Sequence, residues 1–312
     1  MRLSFVVPAF GEAENLERLI PRILAQRSLA DELEVVIVDD HSADSTLDVV
    51  RAWAARDAAI HGVRLARNAG SHMAIFCGLT ECTGDAVIVL AADGQDPPEL
   101  AAGLVTRWRD GAHVVWAVRG GRRGESRLGL ALSRAYYRMM NRWTSVRLPQ
   151  TGADFFLLDR RVIDVLKNLP ERNTSIFALI SWLGFKQAEV EYVKEARHAG
   201  TSKWTFAARL RLALDSFFSF SVMPLKFASA LGLLYAAAGF LYAALLIVNV
   251  LTHGRILGRV AIEGWSALMV VLLVSSGTLM LVLGLFGEYL WRTLEEVRGR
   301  PRFIVEERVN LR

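Results

Sequence analysis

Asp93, Gln95 and Asp96 crowd together just after an apolar run, Ala86–Leu90, and offer hard oxygen donors. Asp39 and Asp40 follow a second such run, Glu34–Val38. Arg67 and Asn68 follow Val63–Ala66, Arg119 follows Val114–Val118, and Pro8, Phe10 and Glu12 follow Leu3–Val7. Mg²⁺ typically takes one or two protein oxygens and completes its shell with water and substrate phosphate, so Asp93 with Gln95 is the expected metal pair. Guanidinium groups beside it suit the phosphates themselves. A single Asp in such a place is more often a turn residue or helix cap. Five polar run-ends together point to a nucleotide diphosphate held by a metal. Gly-x-Gly-x-x-Gly does not follow the first run, and Gly-x-x-x-x-Gly-Lys-Ser/Thr is absent, which sets aside dinucleotide-binding and P-loop enzymes.

Those groups meet only if the apolar runs are parallel strands. Between them, Glu12–Gln26 carries Leu16, Leu19, Ile20, Ile23 and Leu24 at helical spacing, and Ser45–Ala59 and Met73–Cys82 also read as helices. Strand–helix alternation implies a Rossmann-like, mostly parallel α/β sheet flanked by helices, with right-handed crossovers and ligands beyond the carboxyl ends of the strands. After a glycine-rich loop at Gly120–Gly124, the pattern gives a helix at Arg127–Trp143 and a strand at Phe155–Leu158. Helices run from there to about Gly184, and a strand follows at Ala188–Val193. Cys77 and Cys82, the two cysteines, are expected as buried thiols on a helix.

Hydrophobic residues make up 53% of the 312-residue chain, and the excess is concentrated. Phe227–Gly254 and Gly264–Gly287 contain no Asp, Glu, Lys or Arg, and each is long enough to cross a bilayer as a helix. This argues against a disordered, fibrous, disulfide-stapled or fully soluble protein. Met1–Val7 is too short for the apolar core of a signal peptide, and none is expected. The expected organisation is a cytoplasmic domain over 1–203, an interfacial amphipathic helix region over 204–225, and a transmembrane hairpin over 226–291. The hairpin's spans are expected at about 227–252 and 264–288, with a basic cytoplasmic tail over 292–312. Arg292, Arg298, Arg300, Arg302, Arg308 and Arg312 in the tail outnumber Arg255 and Arg259 in the short loop, which places both termini in the cytoplasm. Gly277 and Gly284 share a helix face and permit close packing, and with it a homo-oligomer. The net charge of +5 is read as serving lipid and phosphate rather than nucleic acid.

Eight segments in order carry a family resemblance. They are Val6–Glu12, Val38–Ser42, Arg67–Gly70, Asp93–Glu99, Gly152–Phe155, Leu169–Asn173, Arg197–Trp204 and Ser219–Leu225. With the membrane hairpin, they resemble family-2 glycosyltransferases of the GT-A fold that charge polyprenyl phosphate, such as dolichyl-phosphate mannose synthase and the bacterial two-span undecaprenyl-phosphate enzymes. The resemblance implies an inverting, Mg²⁺- or Mn²⁺-dependent transfer from a nucleotide-diphosphate sugar to a polyprenyl phosphate lipid at the cytoplasmic face of a bacterial-type inner membrane. It implies that the first loop (Pro8, Phe10, Glu12), with Asp39, Asp40, Arg67 and Asn68, faces the nucleotide sugar. Asp93 and Gln95 would hold the metal, and Arg119, Ser133, Arg197, Ser202 and Lys203 would hold the acceptor phosphate. Asp154 would lie near the reacting sugar, so Asp93 and Asp154 are the expected catalytic pair.

The chain departs from the family pattern in places. Ala91 replaces the first carboxylate of Asp-x-Asp, Gly11 replaces Asn, and His41 stands where glycine is usual. Phe156 and Phe177 stand where Arg is frequent, and Gly129 lies where a basic residue is usual. A processive polysaccharide synthase is an alternative reading, but Leu104 and Met139 occupy the glutamine positions of its Gln-x-x-Arg-Trp motif. A degenerate membrane scaffold is the other alternative, with Ala91 its main support.

Overall fold

In a computed structural model, the structure describes residues 1–120, 154–169, 175–195, 223–251 and 265–311. The chain forms two compact units, one of residues 1–220 with 300–312 and one of residues 221–299.

Among the described residues, the first unit is built on one eight-stranded sheet. Its strands are β1 (Arg2–Ala9), β2 (Glu32–Asp39), β3 (Ile60–Leu65), β4 (Ala86–Val89), β5 (Val114–Arg119), β6 (Phe156–Asp159), β7 (Gln187–Tyr192) and β8 (Val305–Val309), in the spatial order β7-β5-β6-β4-β1-β2-β3-β8. β1 pairs in parallel with β2 and β4, β2 with β3, and β5 with β7. β6 is antiparallel to β4 and β5, and β8 is antiparallel to β3. Six strands therefore point one way and two the other. Helices α1 (Ala13–Leu24), α2 (Thr46–Arg56), α3 (Ser71–Glu81), α4 (Ala101–Arg109), α5 (Arg160–Lys167) and α6 (Ile176–Trp182) connect them. The central strands are mostly apolar, as strands buried on both faces tend to be, and the buried Ser4 of β1 donates to the buried Glu34 of β2. Leu16, Leu19, Ile20 and Ile23 of α1 join Phe5, Val35 and Ile88 in one core cluster. Ala74, Cys77 and Leu79 of α3 join Val6, Val36 and Val87 in the other. Burial pushes the Cys77 thiol up to about 12 and the Cys82 thiol up to about 11.

Two details differ from the sequence pattern. β1 continues through Pro8 to Ala9. The Val6 carbonyl turns toward β4, where it accepts from Leu90 N at 3.2 Å, so Pro8, two residues on, also faces that side. β4 pairs with β1 only as far as Val6, so the missing proline N–H breaks no ladder bond. The second difference is β8. Val305–Val309, within the stretch expected as a basic tail, adds a strand to the β3 edge. Arg308 is bidentate to Glu81, with Nε and Nη2 at 3.1 and 2.8 Å, and Arg51 is bidentate to Glu307 at 3.1 and 2.6 Å. The Arg302 guanidinium lies 4.1 Å from the Phe76 ring centroid, and Phe303 packs beside it.

Among the described residues, the second unit contains two helices, α7 (Met223–Leu251, 29 residues) and α8 (Trp265–Val297, 33 residues). Leu233, Phe240, Leu241, Val271, Leu272, Leu281 and Leu283 are exposed. Among the described residues, Val274–Val297 is long and apolar enough to cross a membrane by length and composition, and Leu225–Leu241 is a shorter apolar stretch. The expected loop between the spans and the expected interfacial helix at Trp204–Val222 lie outside the described residues, as does the expected helix at Arg127–Trp143.

Candidate active site

The polar groups collect beyond the carboxyl ends of the parallel strands. At the end of β2, Asp39 is buried, and its Oδ2 accepts from Arg64 Nη1 at 2.8 Å while Oδ1 accepts from Ser42 N at 2.9 Å. Asp40 is also buried, and its two oxygens accept from Ala69 N at 2.7 Å and Gly70 N at 2.8 Å. It thereby folds the Arg67–Gly70 loop over the end of β2. Burial pushes its carboxyl upward against the pull of those two amides. Arg67 and Asn68 themselves are exposed on that loop. His41 has φ 59, a backbone conformation that favours glycine. Its Nδ1 lies 3.1 Å from the Leu65 carbonyl oxygen, which helps to hold the turn.

Pro8 lies one residue before the end of β1 beside this corner, and Phe10 is exposed past it. Gly11, φ 62, turns the chain so that its own amide donates to Ser42 Oγ at 2.8 Å. Glu12 N donates to Thr46 Oγ1 at 3.0 Å, and Glu12 Oε2 accepts from Asn15 at 2.6 Å. The first loop is thus pinned to the loop after β2, which brings Phe10 and Glu12 to the Asp39–Asp40 end of the rim.

After β4 the chain turns at Gly94, φ 69. Asp93 is nearly buried, and its Oδ1 accepts from Gln95 N at 3.1 Å, so the two expected metal ligands share one tight turn. Asp96, the next residue, is fully buried. Tyr192 Oη donates to its Oδ1 at 2.6 Å, Lys194 Nζ lies 3.8 Å from the same oxygen, and Oδ2 has no hydrogen-bond partner among the described residues. Burial pushes the Asp96 carboxyl up, opposed by Lys194 and Tyr192. Burial also raises the Tyr192 phenol, with Asp96 adding to the effect. No group of three His, Cys, Asp or Glu gathers as a metal cage among the described residues. One carboxylate and one side-chain amide on a single tight turn still fit a hard cation that takes its remaining ligands from water and diphosphate.

At the other end of the rim, Arg119 Nη2 donates to Asp154 Oδ2 at 3.1 Å. Burial works against the Arg119 charge, but Asp154 and a hydrogen bond with Tyr192 outweigh it, and the guanidinium is held more firmly protonated than usual. The side chains therefore form a series from Asp96 through Tyr192 to Arg119 and Asp154. Ser133, Arg197, Ser202 and Lys203 lie outside the described residues. Arg64, Tyr192 and Lys194 are rim or sub-rim residues that the sequence did not single out, whereas Asp96 was expected on the rim and its side chain is buried. Alternation along β3 could have pointed to Arg64, which lies between the buried Val63 and Leu65. Nothing local marks Tyr192 as the partner of Asp96.

The chain matches the family model described as "Glycosyl transferase family 2" over residues 4–166. It is 37% identical over 308 residues to an "Uncharacterized glycosyltransferase" of Synechocystis, covering 98% of this chain and 95% of that protein. It is 34% identical over 307 residues to the "Prophage bactoprenol glucosyl transferase homolog" of Escherichia coli, covering 98% and 99%. The "SfII prophage-derived bactoprenol glucosyl transferase" of Shigella flexneri matches at 34% over 308 residues, covering 98% of each chain. A match of this extent, laid over a rim of carboxylates at the ends of parallel strands, makes the chain a glycosyltransferase and a member of glycosyl transferase family 2.

Proposed function

We propose that the chain is an inverting glycosyltransferase that moves a sugar from a nucleotide-diphosphate sugar to a polyprenyl phosphate at the cytoplasmic face of the membrane. The observation that carries this reading is the length of the match to relatives named for bactoprenol glucosyl transfer. It covers 98% of this chain, so the rim and both long helices belong to what is shared. Exposed apolar side chains along α7 and α8 support a bilayer as their surroundings, with two spans forming a hairpin and both termini cytoplasmic.

The chemistry asks little of a base. A phosphate monoester has a second pKa near 6 and is mostly a dianion at neutral pH. Its oxygen attacks the anomeric carbon, the bond to the diphosphate oxygen breaks, and that electron pair leaves with the diphosphate, inverting the centre. What the site must do is align the two substrates. Asp154, fixed by Arg119, is suited to grip and orient the sugar. Arg119, kept protonated, adds positive charge where two anions must approach. Asp93 and Gln95 would hold Mg²⁺ or Mn²⁺, whose charge stabilises the departing diphosphate. The Asp39–Asp40 corner, with Phe10, Glu12 and the Arg67–Asn68 loop, is left for the nucleoside. Ser133, Arg197, Ser202 and Lys203 are the proposed contacts of the acceptor phosphate. A polyprenyl chain buries its methylenes at about 0.8 kcal/mol each and stays in the bilayer, so the rim must be brought to it.

The test is to offer the purified full chain in nanodiscs a panel of UDP- and GDP-sugars with undecaprenyl phosphate and to follow glycolipid by mass. One sugar added per lipid phosphate is expected. Polymer, or free sugar without glycolipid, would overturn the reading.

A further inference from the structure

Arg22 lies on α1, outside every role assigned above, and its guanidinium grips two carboxylates at once. Nε and Nη2 donate to Glu99 Oε1 and Oε2 at 3.0 and 2.8 Å, while Nη1 and Nη2 donate to Glu195 Oε2 and Oε1 at 3.1 and 3.0 Å. Glu99 ends the loop that begins at Asp93, and Glu195 follows the end of β7. The same two segments meet again at Gln95. Glu195 N donates to the Gln95 carbonyl oxygen at 2.9 Å, and Gln95 Nε2 donates to the Glu195 carbonyl oxygen at 3.4 Å. The flipped amide would set two acceptors against each other, so the side-chain nitrogen belongs to Glu195 and Oε1 is the arm turned away from it.

We propose that Arg22 is a positioning residue for the donor site: by holding Glu99 and Glu195 together, it fixes the Gln95 amide with Oε1 presented to a divalent cation. The proposal rests on Asp93 and Gln95 being the metal pair. Without Arg22, two like charges face each other across the junction, and their repulsion draws Glu195 away from the Gln95 amide. The three side chains are partly exposed, so the ion pairs themselves contribute little to overall stability. The effect of losing Arg22 falls on the metal site, where supporting groups commonly alter affinity by about 10–100-fold.

The experiment is a Mn²⁺ titration read by electron paramagnetic resonance on the purified full chain in nanodiscs, with UDP and separately with GDP. Arg22→Met is expected to weaken Mn²⁺ binding about tenfold while thermal unfolding shifts by no more than a few degrees. Arg22→Lys, a point charge that cannot fork to both partners, falls between, and Glu195→Gln weakens binding several-fold. Adding Glu99→Gln and Glu195→Gln to Arg22→Met removes the repulsion and recovers part of the loss. Wild-type affinity in a folded Arg22→Met, or in Glu195→Gln and Arg22→Lys should Arg22→Met not fold, overturns the clamp while leaving the metal pair standing. A wild-type chain that binds no Mn²⁺ with either nucleotide brings down the metal pair, and the clamp with it.

Discussion

Arg119 donates to Asp154 at 3.1 Å, tying the end of β5 to the residue that leads into β6. The family resemblance assigned these residues to different substrates, Arg119 to the acceptor phosphate and Asp154 to the sugar. A direct bond between them makes the two assignments a single unit. The Asp154 side chain is half exposed, so the pair is worth at most about 1 kcal/mol to folding. Its importance is in orientation. Asp154→Asn and Arg119→Gln are each expected to lower kcat by about 100-fold with little change in melting temperature. The double variant is expected to be no worse than the weaker single one, because residues acting as a unit lose their effect together. Additive losses in glycolipid formation would show two independent roles.

Asp93 shares its turn with Gln95, and Ala91 has no carboxylate to add to it. Asp93→Ala is expected to remove Mn²⁺ binding and transfer while the chain still inserts into membranes. Ala91→Asp restores the second carboxylate of Asp-x-Asp and is expected to tighten Mn²⁺ binding about tenfold, since carboxylate count sets affinity for hard cations. Mn²⁺ titration of both variants checks this. An Asp93→Ala chain with near-normal turnover would remove the metal assignment.

The polar rim was legible in the sequence because each of Asp39, Asp40, Asp93 and Arg119 directly follows or ends an apolar run, and parallel strands bring such positions together. The direction of β6 was not, because alternation and apolar content are the same for a strand read either way. β8 was hidden for a different reason. Val305–Val309 carries three charges in five residues and reads as solvated tail until Arg51, Arg64 and Glu81 are placed opposite them. The partners that organise the rim are distant in sequence. Tyr192 is 96 residues from Asp96 and Glu195 is 173 from Arg22, and no periodicity relates positions that far apart.

Arg64 offers a contrast within one side chain. Nη1 meets the buried Asp39 at 2.8 Å, while Nε meets the exposed Glu306 of β8 at 2.9 Å. Removing one partner of a buried pair leaves a stranded charge at a cost of about 3–5 kcal/mol, whereas exposed pairs contribute about 0–1 kcal/mol. Arg64→Met is therefore expected to lower the melting temperature of the detergent-solubilised chain by many degrees, and Glu306→Gln to change it little. Equal effects would mean that β8, rather than the Asp39 charge, sets the stability of this edge.

His72, near the start of α3, accepts from Ile176 N through Nδ1 at 3.2 Å and lies 4.9 Å from the Phe177 ring. Burial pushes its imidazole down to about 4, with Asp154 opposing, against an ordinary value of 6.5. The ring is thus neutral in the folded chain at any pH above about 4. An unfolded chain takes up the proton as pH falls through 6.5, and the folded chain only as pH falls through 4. Stability from this group is full above pH 6.5, is lost between pH 6.5 and 4, and amounts to about 3 kcal/mol at most. In His72→Asn the amide oxygen replaces Nδ1 as acceptor for Ile176 N and does not titrate. The variant is expected to lose the acid-side slope between pH 6.5 and 4 in thermal unfolding, while changing little at pH 8. An unchanged slope in His72→Asn would show that His72 is not the source of the acid sensitivity.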